Sequence, residues 1–148
     1  MKIRKAQPED LGAWLDLRSQ LLPDPKVDHL AELEEYFSDT SIDIVQAYVV
    51  EDDSQAVVGF IELNLRNFAE GSRSPRVPYV EAWFVRSGCR GQGWGRRLMR
   101  QAEQWALAQG FSELASDTEL VNKKSIAVHR ALGFEETERV VCFLKKLA

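Results

Sequence analysis

Cysteine is scarce in this chain: there are two, Cys89 and Cys142. Two thiols make no disulfide framework, and their separation is not that of a metal site, so no metal is expected. Long apolar runs are missing as well. Nothing approaches the roughly 20 residues needed to cross a bilayer, and Met1 to Lys5 opens like a strand, without the core of a signal peptide. A cytoplasmic protein that does not enter a membrane is the expectation. There is no basic excess, since 19 Lys and Arg against 23 Asp and Glu leave a net charge of −4. Nucleic acid as a general partner is therefore excluded, because phosphate contacts need a basic surface. Linkers, repeats and low-complexity segments are also absent. What is present is an ordinary globular composition, 45% hydrophobic and 28% charged. The length fits one domain spanning residues 1–148.

The chain is organised around Tyr79-Val80-Glu81-Ala82-Trp83-Phe84-Val85 and the segment Arg90-Gly91-Gln92-Gly93-Trp94-Gly95-Arg96-Arg97-Leu98 that follows. A β-type run with one carboxylate leads into a basic, glycine-dense loop that opens a helix. Glycines at alternate positions leave backbone N–H groups uncovered, so a bulky anion can approach closely. The helix beginning near Trp94 aims its positive end at the same place, and Arg90, Arg96 and Arg97 add full charges. The pattern predicts a diphosphate cradle. It is not a Walker A loop, because no Gly-Lys-Ser/Thr follows, and alternate glycines do not match the G-x-G-x-x-G spacing of a Rossmann turn. The plainer alternative is a glycine-rich turn with arginines on a solvated face.

Taken in order, Lys2 to Ala6 reads as a strand. Pro8 starts a helix with the stripe Leu11, Trp14, Leu15, Arg18 and Leu22, and Pro23-Asp24-Pro25 ends it. Asp28 can cap a second helix bearing Leu30, Leu33 and Phe37 on one face. Ile44 to Glu51 and Ala56 to Arg66 read as antiparallel strands. In the second, Ile61, Leu63 and Leu65 alternate with Glu62, Asn64 and Arg66, which predicts a half-buried strand. Asn67 to Arg76 is an exposed loop, in which Phe68 either tucks onto the domain or walls a substrate site. The helix of Trp94 to Gln109 buries Leu98, Met99, Ala102, Trp105 and Ala106, and Gly110 stops it. A crossover of that kind makes Phe111 to Ala115 parallel to the central strand. Asn122 caps the next helix, whose Ile126, Ala127 and Leu132 should pack inward before Gly133 stops it. Phe134 to Leu147 is expected to supply one or two final strands, with Cys142 buried there. The whole predicts a mixed α/β sheet with helices on both faces.

Glu81 is the most informative residue. Its apolar neighbours imply a strand buried on both faces, where a carboxylate loses hydration and suits a general base near neutral pH. The alternative is a carboxylate held by a structural partner. Asp117 and Thr118 follow the next parallel strand, and open α/β sheets bind ligands beyond the carboxyl ends of their strands. Glu81 and Asp117 should therefore meet in one crevice, which Glu138 can also face. The acidic residues Glu32, Glu34, Glu35, Asp39, Asp43, Glu51, Asp52 and Asp53 are either a solvated surface or a field that attracts cations.

Arg90-x-x-Gly93-x-Gly95, with the strand before it and the Asn122 to Phe134 segment after it, resembles the signature of the GNAT superfamily of N-acetyltransferases. The similarity covers most of the chain. It implies an α+β fold with a mixed, mostly antiparallel sheet, a central parallel strand pair and helices on both faces. It implies acetyl-coenzyme A as co-substrate, held by Phe84, Val85, Arg90, Gly91, Gln92, Gly93, Trp94, Gly95, Arg96 and Asn122. Direct transfer to an amine follows, with Glu81 as base. His129 stands where many members carry the Tyr that protonates the departing thiolate. It is either the acid or a packed helix residue. Ala115 to Thr118, Val128 to Phe134 and Glu135 to Val140 resemble the aminoglycoside 6′-N-acetyltransferase subgroup. That resemblance implies a cationic amine as partner, contacted by Leu22, Phe68, Glu81, Asp117 and Glu138. Leu22 and Phe68 depart from the Trp and Tyr often found in the subgroup. Homodimers are common in the group, and exposed final strands offer an edge for pairing. A protein N-terminus or polyamine as acceptor, or a non-catalytic acyl-coenzyme A module, are the alternatives.

Overall fold

The computed structural model describes residues 1–148. Strand β1 (Lys2–Lys5) leads through one 3-10 turn (Pro8–Asp10) into α1 (Leu11–Leu21) and then α2 (His29–Phe37). Strands β2 (Gln46–Glu51), β3 (Val57–Arg66) and β4 (Val77–Val85) follow. A second 3-10 turn (Ser87–Cys89) precedes α3 (Trp94–Ala108), β5 (Ala115–Ser116) and α4 (Lys123–Ala131). No helix is long and apolar enough to cross a membrane.

Local chemistry sets the helix ends. Asp28 accepts from the Ala31 N–H at 3.0 Å, and Asn122 accepts from the Ser125 N–H at 3.1 Å, so each satisfies a donor that its helix cannot. Gly110 and Gly133, at φ +90° and +93°, take the left-handed conformation that terminates α3 and α4.

The five strands lie in chain order. β1 to β4 are antiparallel, and β5 joins β4 in parallel through Tyr79–Ala115 and Val80–Ser116, as the α3 crossover requires. One face packs Val50, Val58, Ile61, Leu63 and Val80 against Leu98, Met99, Ala102 and Trp105 of α3. The other packs Ala47, Val49, Phe60 and Ala82 against Trp14 and Leu17 of α1 and Leu33 of α2.

Because helices cover both faces, the half-buried reading of β3 is corrected: Glu62 is 0% exposed and Asn64 7%. Glu62 survives there because α1 brings donors to it. Trp14 Nε1 and Arg18 Nε both donate to Glu62 Oε2 at 2.9 Å. Arg18 also reaches Glu32 and His29 Nδ1, and His29 Nε2 donates to the Leu22 carbonyl at 2.8 Å. One buried polar network thus ties α1, α2 and β3 together.

Four expectations are overturned. Phe134 to Leu147 forms no strand, and residues 135–148 are exposed. Cys142 is accordingly exposed rather than buried. β5 has shrunk to two residues, and α4 buries none of its side chains, so Ala127 does not pack inward. In each case the strand that should lie beyond β5 is not there to supply hydrogen bonds and cover.

Candidate functional site

Antiparallel pairing of β3 and β4 shifts by one residue beside Glu81: Glu62 faces Ala82 but Leu63 faces Val80, which leaves Glu81 as the extra residue. A bulge of this kind re-aims a side chain. Glu81 turns toward the end of β3, where Asn64 Nδ2 donates to Oε2 at 2.8 Å. Arg66 binds the same carboxylate in bidentate fashion, Nε to Oε2 at 2.8 Å and Nη2 to Oε1 at 2.5 Å. The Arg66 guanidinium lies 3.6 Å over the Tyr79 ring, and the Tyr79 hydroxyl donates to Asp117 Oδ2 at 2.7 Å. The parallel pair thereby brings Glu81 and Asp117 into one connected group, as the sequence predicts.

The prediction that Glu81 sits stripped of hydration among apolar neighbours is corrected. Its side chain keeps 16% exposure and its charge is matched by Arg66. Hydrogen bonding to Glu81 pushes Arg66 further up, so it is a permanent cation. Burial, and then the bond to Asp117, push the Tyr79 hydroxyl well above its ordinary range, so it remains a donor. Sequence reasoning missed Asn64, Arg66 and Tyr79 as site residues. The signal was the polar set Glu62, Asn64 and Arg66, read as an outward face although α1 and α2 cover that side of the sheet.

His129 stands on α4. Its Nδ1 donates to the Ser125 carbonyl at 2.8 Å, and its Nε2 lies 2.8 Å from Ser116 Oγ. With the proton committed on Nδ1, Nε2 accepts from Ser116. The ring is also edge-on to Trp83 and Phe134, at 5.5 and 5.2 Å between centroids. This geometry favours the packed-residue alternative.

At the carboxyl end of β4 the anion loop is built as anticipated. Gly91 and Gly93 have φ of +80° and +86°, and a side chain at either would meet nothing within 4 Å, so the backbone lies open. Gly95 has a different reason: its carbonyl accepts from Trp83 Nε1 at 3.0 Å, and an added Cβ would sit 3.4 Å from that ring. Gly93 caps α3, whose 15 residues give its N-terminus a full dipole beside Arg96 and Arg97. Arg97 folds over Trp94, 4.6 Å from its ring. Arg90 donates to the Val85 carbonyl at 2.7 Å and lies over Phe84, fastening the loop to the strand end. An open cradle of backbone donors and cations fits a pyrophosphate, with Gln92 and Trp94 on the same turn.

The remaining candidates are not drawn into this hydrogen-bonded cluster. Leu22 and Phe68 are 41% and 66% exposed, and Glu138 is exposed beyond α4. Asn122 serves as the cap of α4.

A carboxylate on a bulged strand that runs into an anion loop and a dipolar helix is arranged for acyl transfer from a phosphate-bearing donor to an amine. The chain belongs to the acetyltransferase (GNAT) family, whose match spans residues 13–134. It is 40% identical over 141 residues to an aminoglycoside N(6′)-acetyltransferase type 1 of Serratia marcescens, covering 94% of each chain. Among solved structures it resembles the aminoglycoside antibiotic 6′-N-acetyltransferase AAC(6′)-IG of Acinetobacter haemolyticus, in apo form, at 34% identity and a TM-score of 0.89 over 100% of both chains. It also resembles AAC(6′)-Iy in complex with the bisubstrate analog CoA-S-monomethyl-acetylneamine, at 34% identity and a TM-score of 0.87, covering 98% of this chain and 97% of that one.

Proposed function

We propose that this chain acetylates the 6′-amine of aminoglycoside antibiotics from acetyl-coenzyme A, a resistance activity, with residues 1–148 forming one catalytic domain. The observation that carries the reading is the joined Glu81–Arg66–Tyr79–Asp117 group beside the anion loop. Two neighbouring carboxylates, Glu81 within β4 and Asp117 just beyond β5, suit a polycationic amino sugar, and the names of the relatives support that acceptor. Coenzyme A, when bound, supplies the acetyl group as a thioester. Gly91, Gln92, Gly93, Trp94, Gly95, Arg90 and Arg96 would hold its pyrophosphate, with Phe84 and Val85 beside it and Asn122 across from it.

Glu81 takes the proton of the attacking amine, directly or through one water. In the free chain Arg66 occupies the carboxylate, so an incoming ammonium exchanges with a guanidinium rather than meeting a bare charge. Backbone N–H groups near Val85 polarise the acyl carbonyl. His129, with its proton committed to Ser125, leaves protonation of the leaving thiolate to water. Leu22, Phe68 and Glu138 contact the sugar rings as the acceptor closes on the crevice. The chain works in the cytoplasm, as a homodimer.

Thiol release with kanamycin or tobramycin, set against analogues carrying a 6′-hydroxyl, tests the acceptor. Turnover of the amines alone is expected. Equal turnover of both sets, or of neither, overturns the assignment. A reading as a non-catalytic acyl-coenzyme A module draws on the Glu81–Arg66 pair, which leaves the base engaged. Tight acetyl-coenzyme A binding with no thiol release from any amine, spermidine and peptide N-termini included, would favour it.

A further inference from the structure

We propose that Arg66 guards the base: it keeps Glu81 occupied until the ammonium of an acceptor takes its place, so that water is refused as an acceptor. The inference rests on the acetyl-transfer reading above and adds a positioning residue to it. An acetyl thioester is open to two nucleophiles, an amine and water. Water is always present and, like the amine, must lose a proton to attack. A carboxylate left free in the crevice would serve both.

The carboxylate is not free. Glu81 Oε2 accepts from Asn64 Nδ2 and from Arg66 Nε, each at 2.8 Å, and Oε1 accepts from Arg66 Nη2 at 2.5 Å. A planar fork making two parallel bonds is a strong hold on a carboxylate. Neutral water brings no charge to replace it. An ammonium does, because one cation then exchanges for another at Glu81.

The pair is also built to open. A fixed ion pair on the same strand, Arg18 with Glu62, is sealed, its side chains 9% and 1% exposed. Those of Arg66 and Glu81 keep 39% and 16%. Arg66 is the last residue of β3, and its guanidinium lies over the Tyr79 ring at the margin of the crevice, so the head can turn out to water. Asn64 then retains Oε2 and keeps the carboxylate aimed. Tyr79, pushed well up by burial and then by its bond to Asp117, does not become a rival base. Asp117 has no ion-pair partner, which leaves it for a second ammonium of the acceptor.

Once exchanged, the ammonium gives one proton to Glu81 Oε1, and the amine so formed attacks the thioester carbonyl carbon. A C–N bond forms, the C–S bond breaks, and the second proton shed by the nitrogen reaches the thiolate through water. The proton on Glu81 leaves to solvent as Arg66 returns. Without the guard, the same carboxylate takes a proton from water. A C–O bond then forms, the C–S bond breaks, and acetate and the thiol are released with no acceptor modified.

Arg66→Met keeps the apolar stem and removes the fork. Acetyl-coenzyme A hydrolysis without acceptor, followed by thiol release, should rise at least tenfold in it and return to the parent level when Glu81→Gln is added. Arg66→Lys keeps a cation but only one point of contact, and should rise two- to fivefold. It decides the question if far-UV dichroism shows that the methionine variant does not fold. With kanamycin, Arg66→Met should lower KM at least threefold and leave kcat within threefold, because the exchange precedes the chemical step. A readout without coenzyme is the Arg66 Nε–H, identified in nitrogen-edited spectra by its loss in Arg66→Lys. It should exchange slowly with solvent and become fast when kanamycin is added. Hydrolysis unchanged in both variants, or a rise that survives Glu81→Gln, overturns the guard. So does a kcat for kanamycin that falls with KM unchanged, or an Nε–H that stays protected in the kanamycin complex. If neither parent nor variant acetylates kanamycin, the acceptor reading falls, and the hydrolysis comparison still decides the guard.

Discussion

Glu81 shows how one residue's role is set by what surrounds it. Without Arg66 it would be a half-buried charge with no counter-ion; with Arg66 it is an ion pair that a substrate ammonium can take over. Glu81→Gln keeps the shape and the Asn64 contact but removes the base. We expect kcat/KM to fall by about 10²–10⁴, the usual contribution of a general base, in steady-state thiol release between pH 6 and 9. Unchanged values at every pH would remove Glu81 from the mechanism. Asp10 illustrates a structural carboxylate. Burial works to raise it, but Arg4, bound bidentate at 2.7 and 2.9 Å, and the Gln7 N–H outweigh burial and hold it below its ordinary 3.8. The unfolded chain therefore protonates first as pH falls. The contribution of Asp10 to stability is complete above its unfolded value and is lost as pH drops through its native one. Urea midpoints from pH 6 to pH 3 should fall for the parent, and fall less steeply for Asp10→Asn. Parallel curves would show that Asp10 is not the titrating group.

At the level of the element, the turn from β4 into α3 is the piece most dependent on backbone conformation. Gly93 stands at φ +86° as the cap of α3, and its carbonyl accepts the Arg97 N–H at 3.1 Å. A Cβ in the left-handed region costs roughly 1–2 kcal/mol, a cost that glycine at 93 avoids because it has none. Gly93→Ala is expected to weaken acetyl-coenzyme A binding about tenfold in calorimetry, with a smaller loss in thermal stability. Equal affinity for both proteins would detach the loop from the coenzyme. Glycine at 95 answers to Trp83 instead, so alternate glycines in this turn do not share one purpose.

For the molecule as a whole, the buried Trp14–Arg18–Glu62–His29–Glu32 network decides how the two helices of the first half sit on the sheet. Burial pushes the Glu62 carboxyl up, while Arg18 and Trp14 work against that. Burial would likewise lower Arg18, but the charge of Glu62 and the bond to Glu32 keep it raised. Removing one partner of such a pair leaves the other uncompensated. Glu62→Ala should cost about 3–5 kcal/mol in urea unfolding, with Glu62→Gln losing less because it keeps acceptor capacity. A loss under 1 kcal/mol for the alanine variant, on the scale of an exposed pair, would mean that water replaces the carboxylate. The same network reaches the Leu22 carbonyl through His29, which links core packing to the end of α1, where the acceptor is proposed to enter.

Much of this protein follows from short-range chemistry that a sequence displays. Pro8, Asp28, Asn122, Gly110 and Gly133 mark element ends because capping and left-handed turns depend on a few adjacent residues. The Glu81 strand, the anion loop and the parallel partner follow from patterns within about 40 residues of chain. Tertiary structure alone decided the rest. Whether Glu62, Asn64 and Arg66 face water depends on α1 and α2 covering that side of β3, a contact between residues 44 positions apart for Arg18 and Glu62. The counter-ion of Glu81 depends on a bulge that no alternation pattern contains. The last segment has the residues of a strand, yet pattern alone does not make one, and no strand of the sheet pairs with it.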